Sequence, residues 1–279
     1  EGHNYQEPLE LPSPVSDRLR LQFHITQYGN REHLMLVRDI TRLFQLEQMR
    51  KDFVANVSHE LRTPLTVISG YLETLLDNVE DVNPRWLRAL QQMQQQGGRM
   101  QNLLNDLLLL AKLEATDYPS DNQPVAVDLL LLSIKNDAQA LSGERHHRIS
   151  LEADPHLKLK GSETELRSAF SNLVFNAVKY TPDEGSIQIR WWGDEQGAHL
   201  SVQDSGLGIE AKHLPRLTER FYRVDSSRAS NTGGTGLGLA IVKHVLLRHR
   251  ARLDIASTLG KGSTFTCHFP TLQVVRRGQ

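Results

Sequence analysis

FVANVSHELRTPLTVISGYLETLL, residues 53–76, decides how the rest of the chain is to be read. Phe53, Val57, Leu61, Leu65, Ile68, Leu72 and Leu75 recur at spacings of four and three, which places them on one face of a long helix. His59 falls off that stripe, with Glu60 beside it and Thr63 one turn on, so its imidazole is offered to chemistry rather than to a core. Pro64 removes its own N–H, and its ring presses on the carbonyl of Glu60. A bend beside His59 is therefore expected, at a cost of about 3 kcal/mol. A single exposed histidine on such a helix is ordinarily a solvated residue, so a second site elsewhere in the chain must give it a role.

The helical pattern extends back to Arg42 and stops in the turn Asp77 to Asn83. Asn83 followed by Pro84 is an N-cap with proline at the first helical position. The second helix carries Leu90, Met93, Gly97, Met100, Leu104, Leu107 and Ala111 at strict alternation of three and four, a coiled-coil seam. Leu103, Leu108 and Leu110 lie outside it. Two helices cannot bury both stripes against each other, whereas two such hairpins can, as a four-helix bundle. A homodimer is expected.

The 279 residues leave room for about two domains. With 32 basic against 33 acidic residues, nothing marks nucleic acid as a partner. The single cysteine, Cys267, excludes an intrachain disulfide and alternates with Phe265 and Phe269 in an expected strand, which assigns it to the core. Twelve histidines show no metal-ligand spacing. No apolar run is long enough to span a bilayer and no signal peptide opens the chain, so this segment is expected to be soluble, with its start reading as cut from something longer.

Before the long helix, Leu19, Leu21, Phe23 and Ile25 alternate with polar residues, Gly29-Asn30 offers a turn, and His33 to Ile40 reads as a second strand. A two-stranded hairpin is marginal alone, so an upstream remainder of the sheet is expected. The exit Leu36-Val37-Arg38-Asp39-Ile40-Thr41 resembles that of PAS sensory domains, which hand over to a signalling helix. The expected division is 1–41 as the PAS-like remnant, 42–115 as the helical hairpin, 116–124 as a linker with two prolines, 125–273 as a second domain and 274–279 as a solvated tail.

In that second domain the pattern predicts a helix over Val125 to Leu141, short strands at Ile149 to Leu151 and Leu157 to Leu159, and a helix from Ser162 to Tyr180. A hairpin of Ile187 to Trp192 and His199 to Gln203, a helix from Leu239 to His249, and strands Leu253 to Ser257 and Ser263 to Phe269 complete it. Asn172, Asn176 and Lys179 share the helix face opposite the inward stripe Leu166, Phe170, Leu173, Val174 and Ala177. Amide oxygens are hard ligands suited to Mg²⁺, and an ammonium complements phosphate. Asp204-Ser205-Gly206-Leu207-Gly208 follows a strand: the carboxylate can accept from an exocyclic amine, and the glycines let backbone approach a flat base. The same glycines match a weak dinucleotide fingerprint, but Pro215 and the loop-like Thr218 to Thr235 argue against the helix that fingerprint needs. Gly233-Gly234-Thr235-Gly236-Leu237-Gly238 then runs into a helix, and its amides form a phosphate cradle without the lysine of a P-loop.

Ser58-His59-Glu60-Leu61-Arg62-Thr63-Pro64-Leu65 resembles the phosphoacceptor box of sensor histidine kinases, and the later motifs, in their order, resemble the N, G1, F and G2 boxes of the same family's ATP-binding domain. The likeness spans roughly Arg42 to Pro270. It implies an α+β multidomain chain: a dimeric helical hairpin followed by an α/β sandwich of the GHKL type. It also implies His59 as phosphoacceptor, Glu60 as its base and Thr63 in dephosphorylation. Asn176 would hold Mg²⁺ with Asn172 near it, Lys179 and the adjacent Tyr180 would lie by the phosphates, and Asp204 by the adenine amine of ATP. Gly206 and Gly208 would flank the base, Phe221-Tyr222-Arg223 would belong to a lid with Arg223 a phosphate contact, and Gly234, Thr235, Gly236, Leu237 and Gly238 would form the cradle. The runs Leu217 to Asp225 and Gly238 to His244 resemble the branch serving phosphate-starvation signalling. The implied activity is autophosphorylation of His59 and transfer to an aspartate of a response regulator receiver domain, with dephosphorylation of that regulator. The implied location is the cytoplasmic portion of an inner-membrane protein, joined to the membrane by an upstream segment. The alternatives are a non-catalytic signalling scaffold and another ATPase of the same nucleotide-binding fold.

Overall fold

The computed structural model describes residues 9–14, 16, 19–28, 32–77, 84–114, 121–224 and 235–276; the side chains of 28, 32, 46–60, 64, 77 and 276 lie outside that description. The chain forms two compact units, Glu1–Val57 and Ser58–Gln279.

In the first unit β1 (Leu9–Pro12), β2 (Arg20–Tyr28) and β3 (Glu32–Asp39) make an antiparallel sheet in the order β1-β2-β3. The β2–β3 hairpin follows the sequence pattern, with Phe23 opposite Val37 and Ile25 opposite Met35. Strand β1 was not expected; it pairs Leu9 with Phe23 and Leu11 with Leu21. Its four residues carry too little alternation to announce a strand, and it owes its conformation to the free edge of β2. The Asp39-Ile40-Thr41 exit is built as a cap. The Asp39 carboxylate accepts from the Thr41 amide at 2.9 Å, Thr41 Oγ1 accepts from the Arg20 amide at 2.9 Å, and Ile40 is buried. Capping holds the Asp39 carboxyl below its ordinary range and ties the end of β3 to the first turn of α1.

Helix α1 (Thr41–Asp77) runs uninterrupted through Pro64, and α2 (Pro84–Glu114) starts at the expected proline. In the second unit the two are antiparallel neighbours: Arg62 Nη2 donates to Asn105 Oδ1 at 3.2 Å, and a Cβ at Gly97 would lie 3.2 Å from Ser69 Oγ. Leu65, Leu72 and Leu104 are buried near this close approach. Leu61, Ile68, Leu75, Met93 and Met100 stay 45–57% exposed in the single chain, so five of the twelve described residues of the expected apolar stripes are uncovered.

The remainder is a two-layer sandwich. A mixed sheet of β5 (Arg148–Ala153), β7 (Ser186–Gly193), β8 (Gly197–Asp204), β10 (Gly262–Pro270) and β9 (Arg252–Thr258), in the order β5-β7-β8-β10-β9, is parallel only between β5 and β7. Helices α3 (Val127–Ser142), α4 (Glu163–Tyr180) and α5 (Gly238–Arg248) contribute to a common core with it, in which Phe170, Trp191 and Phe269 meet edge to face at 6.1 and 6.3 Å. Cys267 is fully buried between Phe265 and Phe269 along β10, as expected, and burial pushes its thiol far above the ordinary range.

Three local expectations are corrected. Val125 does not start a helix: Gln123–Ala126 is strand β4, pairing Val125 with Leu159 of β6 (Leu157–Gly161), and α3 begins at Val127. Pro124 has no N–H to donate and therefore suits the edge position β4 takes in the sheet order β11-β6-β4. Val274–Arg276, expected as part of a solvated tail, is strand β11 on the other side of β6. Lastly, the second stripe of α2 is satisfied within the chain: Leu110 and Leu113 are buried in the sandwich core and Leu103, Leu107 and Leu109 pack against it. Leu107, placed in the dimer seam by its spacing, therefore faces the sandwich. Helix periodicity shows that an apolar face exists and leaves its occupant open.

Candidate functional site

The His59 and Glu60 side chains lie outside the described residues; both positions are helical in α1. Thr63, one turn on, is exposed.

On α4, Asn172, Asn176 and Lys179 are half-buried while Leu166, Phe170, Leu173, Val174 and Ala177 of the opposite face are buried. Asn172 donates its amide N–H to Ser168 O at 2.9 Å, which leaves Oδ1 turned to the start of α5. A Cβ at Gly238 would fall 2.3 Å from that oxygen, so glycine is required where the helix start meets Asn172. An amide oxygen held in this way, one turn from a second asparagine, fits a hard cation such as Mg²⁺. Lys179 Nζ sits 5.0 Å over the Tyr180 ring. Burial first, then the positive charges of Arg223 and Arg99, bring the Lys179 ammonium down to about 8. The Lys179 ammonium thus feels two further cations, one from α2 and one from the Phe221 to Arg223 segment. Partial burial raises the Tyr180 hydroxyl, and Arg223 opposes that shift.

At the end of β8 the buried Asp204 uses Oδ1 to accept from the amides of Gly206 at 2.8 Å and Ser263 at 3.3 Å. Burial raises its carboxyl and these two bonds oppose the rise. The loop after it is pressed against backbone. A Cβ at Gly206 would stand 2.5 Å from Tyr180 O, and at Gly208, with φ +65°, 2.0 Å from Thr258 O. Leu207 N donates to Tyr180 O at 3.3 Å and its carbonyl accepts from Gly260 N at 2.7 Å. The Asp204 loop is therefore fixed to the C-terminal end of α4, next to Lys179. No helix opens at Gly206, in line with rejection of the dinucleotide fingerprint.

Phe221 takes φ +61° and donates its amide to Gly236 O at 2.9 Å, while Gly236 itself has φ +74°. Tyr222 is held by His213 Nδ1 at 2.6 Å from its hydroxyl and by the Arg216 guanidinium 4.3 Å over its ring. Leu237 is fully buried, and its amide donates to Thr235 Oγ1 at 3.2 Å just ahead of α5. Gly234 lies outside the described residues.

Sequence reasoning missed the face that α2 presents to this region. Thr235 Oγ1 donates to Asp106 Oδ2 at 2.9 Å, and Glu114 pairs with Arg220 and, at 3.3 Å, with His244. Arg248 joins the buried Glu165 through two bonds of 2.9 and 3.1 Å and donates to Leu113 O at 3.3 Å. Burial raises the Asp106 carboxyl, which the Thr235 bond opposes. The signal for this face was in the sequence, as Arg99, Leu103, Asp106, Leu110 and Leu113 spaced by four and three, but its mixed polarity hid it.

Residues 49–116 match the family described as His Kinase A (phospho-acceptor) domain, and residues 161–273 that described as Histidine kinase-, DNA gyrase B-, and HSP90-like ATPase. The phosphate regulon sensor protein PhoR of Pseudomonas aeruginosa is 84% identical over 98% of this chain, which covers 62% of that protein. The sensor-like histidine kinase SenX3 of Mycolicibacterium smegmatis is 33% identical over 94% of this chain and 69% of its own length. Among solved structures, full-length ShkA in complex with AMPPNP superposes with a TM-score of 0.68 at 26% identity, covering 82% of this chain and 47% of that one. The chain spans about three fifths of the PhoR proteins it matches, including that of Haemophilus influenzae at 63%. With both domain families in order and a sensor histidine kinase matched over more than two thirds of its length, the chain belongs to the sensor histidine kinase family.

Proposed function

We propose that this chain is the ATP-dependent protein-histidine kinase portion of a phosphate-responsive sensor. Lys179 and Arg223 hold the triphosphate, Asp204 accepts from the adenine amine through the carboxylate oxygen opposite Oδ1, and the turn Thr235 to Gly238 presents amides to the phosphates at the start of α5. Asn176, with Asn172 beside it, would hold Mg²⁺, which when bound offsets charge on the phosphate oxygens. The neutral imidazole nitrogen of His59 attacks the γ-phosphorus in line. Its N–P bond forms as the bond to the ADP oxygen breaks, and Glu60 takes the ring proton. The phosphoryl group then passes to an aspartate of a receiver domain. For dephosphorylation of that regulator, the Thr63 hydroxyl orients the water that attacks the aspartyl phosphate.

The observation that supports this most is the contact of Asn172 Oδ1 with Gly238 at the start of α5, on the same helix whose Lys179 feels the charges of Arg223 and Arg99, in a chain that also carries the Ser58 to Leu65 box. The uncovered Leu61, Ile68 and Leu75 stripe supports a homodimer. We also propose the division 1–41 PAS-like remnant, 42–115 dimerisation and phosphotransfer hairpin, and 125–273 ATP-binding domain, which pairing of β4 and β11 with β6 extends to 123–276, shortening the expected 116–124 linker to 116–122. No helix among the described residues is long and apolar enough to cross a membrane; attachment to the inner membrane, with this portion in the cytoplasm, rests on an upstream segment. Phosphate as the stimulus rests on the 84% identity to PhoR. Incubation with γ-labelled ATP tests the proposal: an acid-labile, alkali-stable label on the protein is expected, and an acid-stable label or none contradicts it.

A further inference from the structure

Helix α2 lies against the sandwich along one face. Leu103, Leu110 and Leu113 pack on or into its core, Asp106 accepts from Thr235, and the carbonyl of Leu113 accepts from Arg248. Residue 99 precedes Leu103 by four and Asp106 by seven, so it continues that face one turn beyond Leu103. Leu113 meets the last residue of α5 and Asp106 the turn ahead of its first, so Arg99, two turns nearer the start of α2, lies past the N-terminal end of α5. Arg99 is half-buried, and its charge is one of the two that act on Lys179.

We propose that Arg99, carried by the helical hairpin and not by the ATP-binding domain, is a third cation of the triphosphate site and contacts the phosphates when α2 is seated on the sandwich. This rests on the nucleotide site proposed above. The charges of Arg223 and Arg99 both oppose that of Lys179, and a polyphosphate relieves that opposition. Because the guanidinium belongs to the helix, phosphates in the site draw α2 and the sandwich together, and seating of α2 strengthens phosphate binding by the same factor. Adenosine, with no phosphate, is indifferent to Arg99. The helix thereby senses whether a nucleotide carries its phosphates.

The experiment is calorimetry on the full chain with Mg-AMPPNP and, separately, adenosine, comparing wild type, Arg99→Ala, Arg99→Lys and Lys179→Ala, with thermal unfolding to confirm that each variant is folded. For Arg99→Ala the expected result is a loss of about tenfold in AMPPNP affinity, the size of one charge-assisted hydrogen bond, with adenosine affinity unchanged and Arg99→Lys recovering part of the loss. AMPPNP affinity unchanged in Arg99→Ala but reduced in Lys179→Ala overturns the role of Arg99 and leaves the nucleotide site standing. Unchanged affinity in both overturns the site itself, and equal losses for AMPPNP and adenosine in Arg99→Ala make Arg99 a structural residue and also overturn its role.

Discussion

Thr235 Oγ1 donates a 2.9 Å hydrogen bond to Asp106 Oδ2 across 129 positions of sequence. It joins the turn ahead of α5 to the face of α2, and the same hydroxyl accepts from the Leu237 amide. The hairpin and the nucleotide domain thus share one hydroxyl at the edge of the proposed phosphate cradle. Removing the carboxylate by Asp106→Ala costs about 1 kcal/mol of stability and frees the turn. Hydrogen exchange at residues 235–240 is expected to rise several-fold with exchange in α3 unchanged; equal protection in wild type and variant would show that the bond does not hold the turn.

Arg248 and Glu165 are paired with side-chain exposures of only 4% and 5%. Arg248→Met removes the guanidinium from a buried carboxylate and is expected to cost about 3–5 kcal/mol, whereas replacing both by methionine is expected to recover most of that loss. Urea unfolding of the single and double variants decides. A single variant as stable as wild type would mean that the Glu165 carboxylate does not depend on Arg248 for its burial.

Lys179 at about 8 is well below the ordinary lysine value of 10.5. Bound phosphate favours the ammonium, so the bound-state value is higher than the free one. Nucleotide affinity is therefore level below about pH 8 and falls as pH rises through the interval between the free and bound values. Calorimetry with Mg-ADP from neutral to alkaline pH should show that fall, and Lys179→Arg, which does not titrate there, should abolish it.

Thr63 is exposed one turn from His59. Neither autophosphorylation nor transfer needs an oriented water, whereas hydrolysis of an aspartyl phosphate does. Thr63→Ala is expected to keep autokinase activity within a few-fold and to lose most phosphatase activity toward the phosphorylated regulator. Loss of both activities together would assign Thr63 a structural role in the helix.

The sandwich was legible where one residue face meets one environment. The inward stripe of α4, the β7–β8 hairpin around Asp194 to Gly197 and the start of α5 all follow from period and turn chemistry. Position within the domain was not legible for Gln123–Ala126 and Val274–Arg276, because both are short strands whose conformation comes from the edges of β6. Nor was the division of labour on α2. Spacing alone assigned Leu107 to a partner helix, but packing gives it to the sandwich, and the polar members of that face, Arg99 and Asp106, carry no hydrophobic signal. In the candidate site, the places of Lys179 near a helix end and Asp204 at a strand end were readable from the sequence. The need for glycine at 238 was readable only once Asn172 Oδ1 was seen against it.

In the proposed mechanism the acceptor, His59, is separate from the residues that bind ATP. The most direct measurement is the transfer of label from γ-labelled ATP to His59→Gln, with Mg-AMPPNP affinity measured on the same preparation. The label is expected to vanish while the affinity stays at the wild-type value. Label retained on His59→Gln would place the acceptor elsewhere and contradict the mechanism.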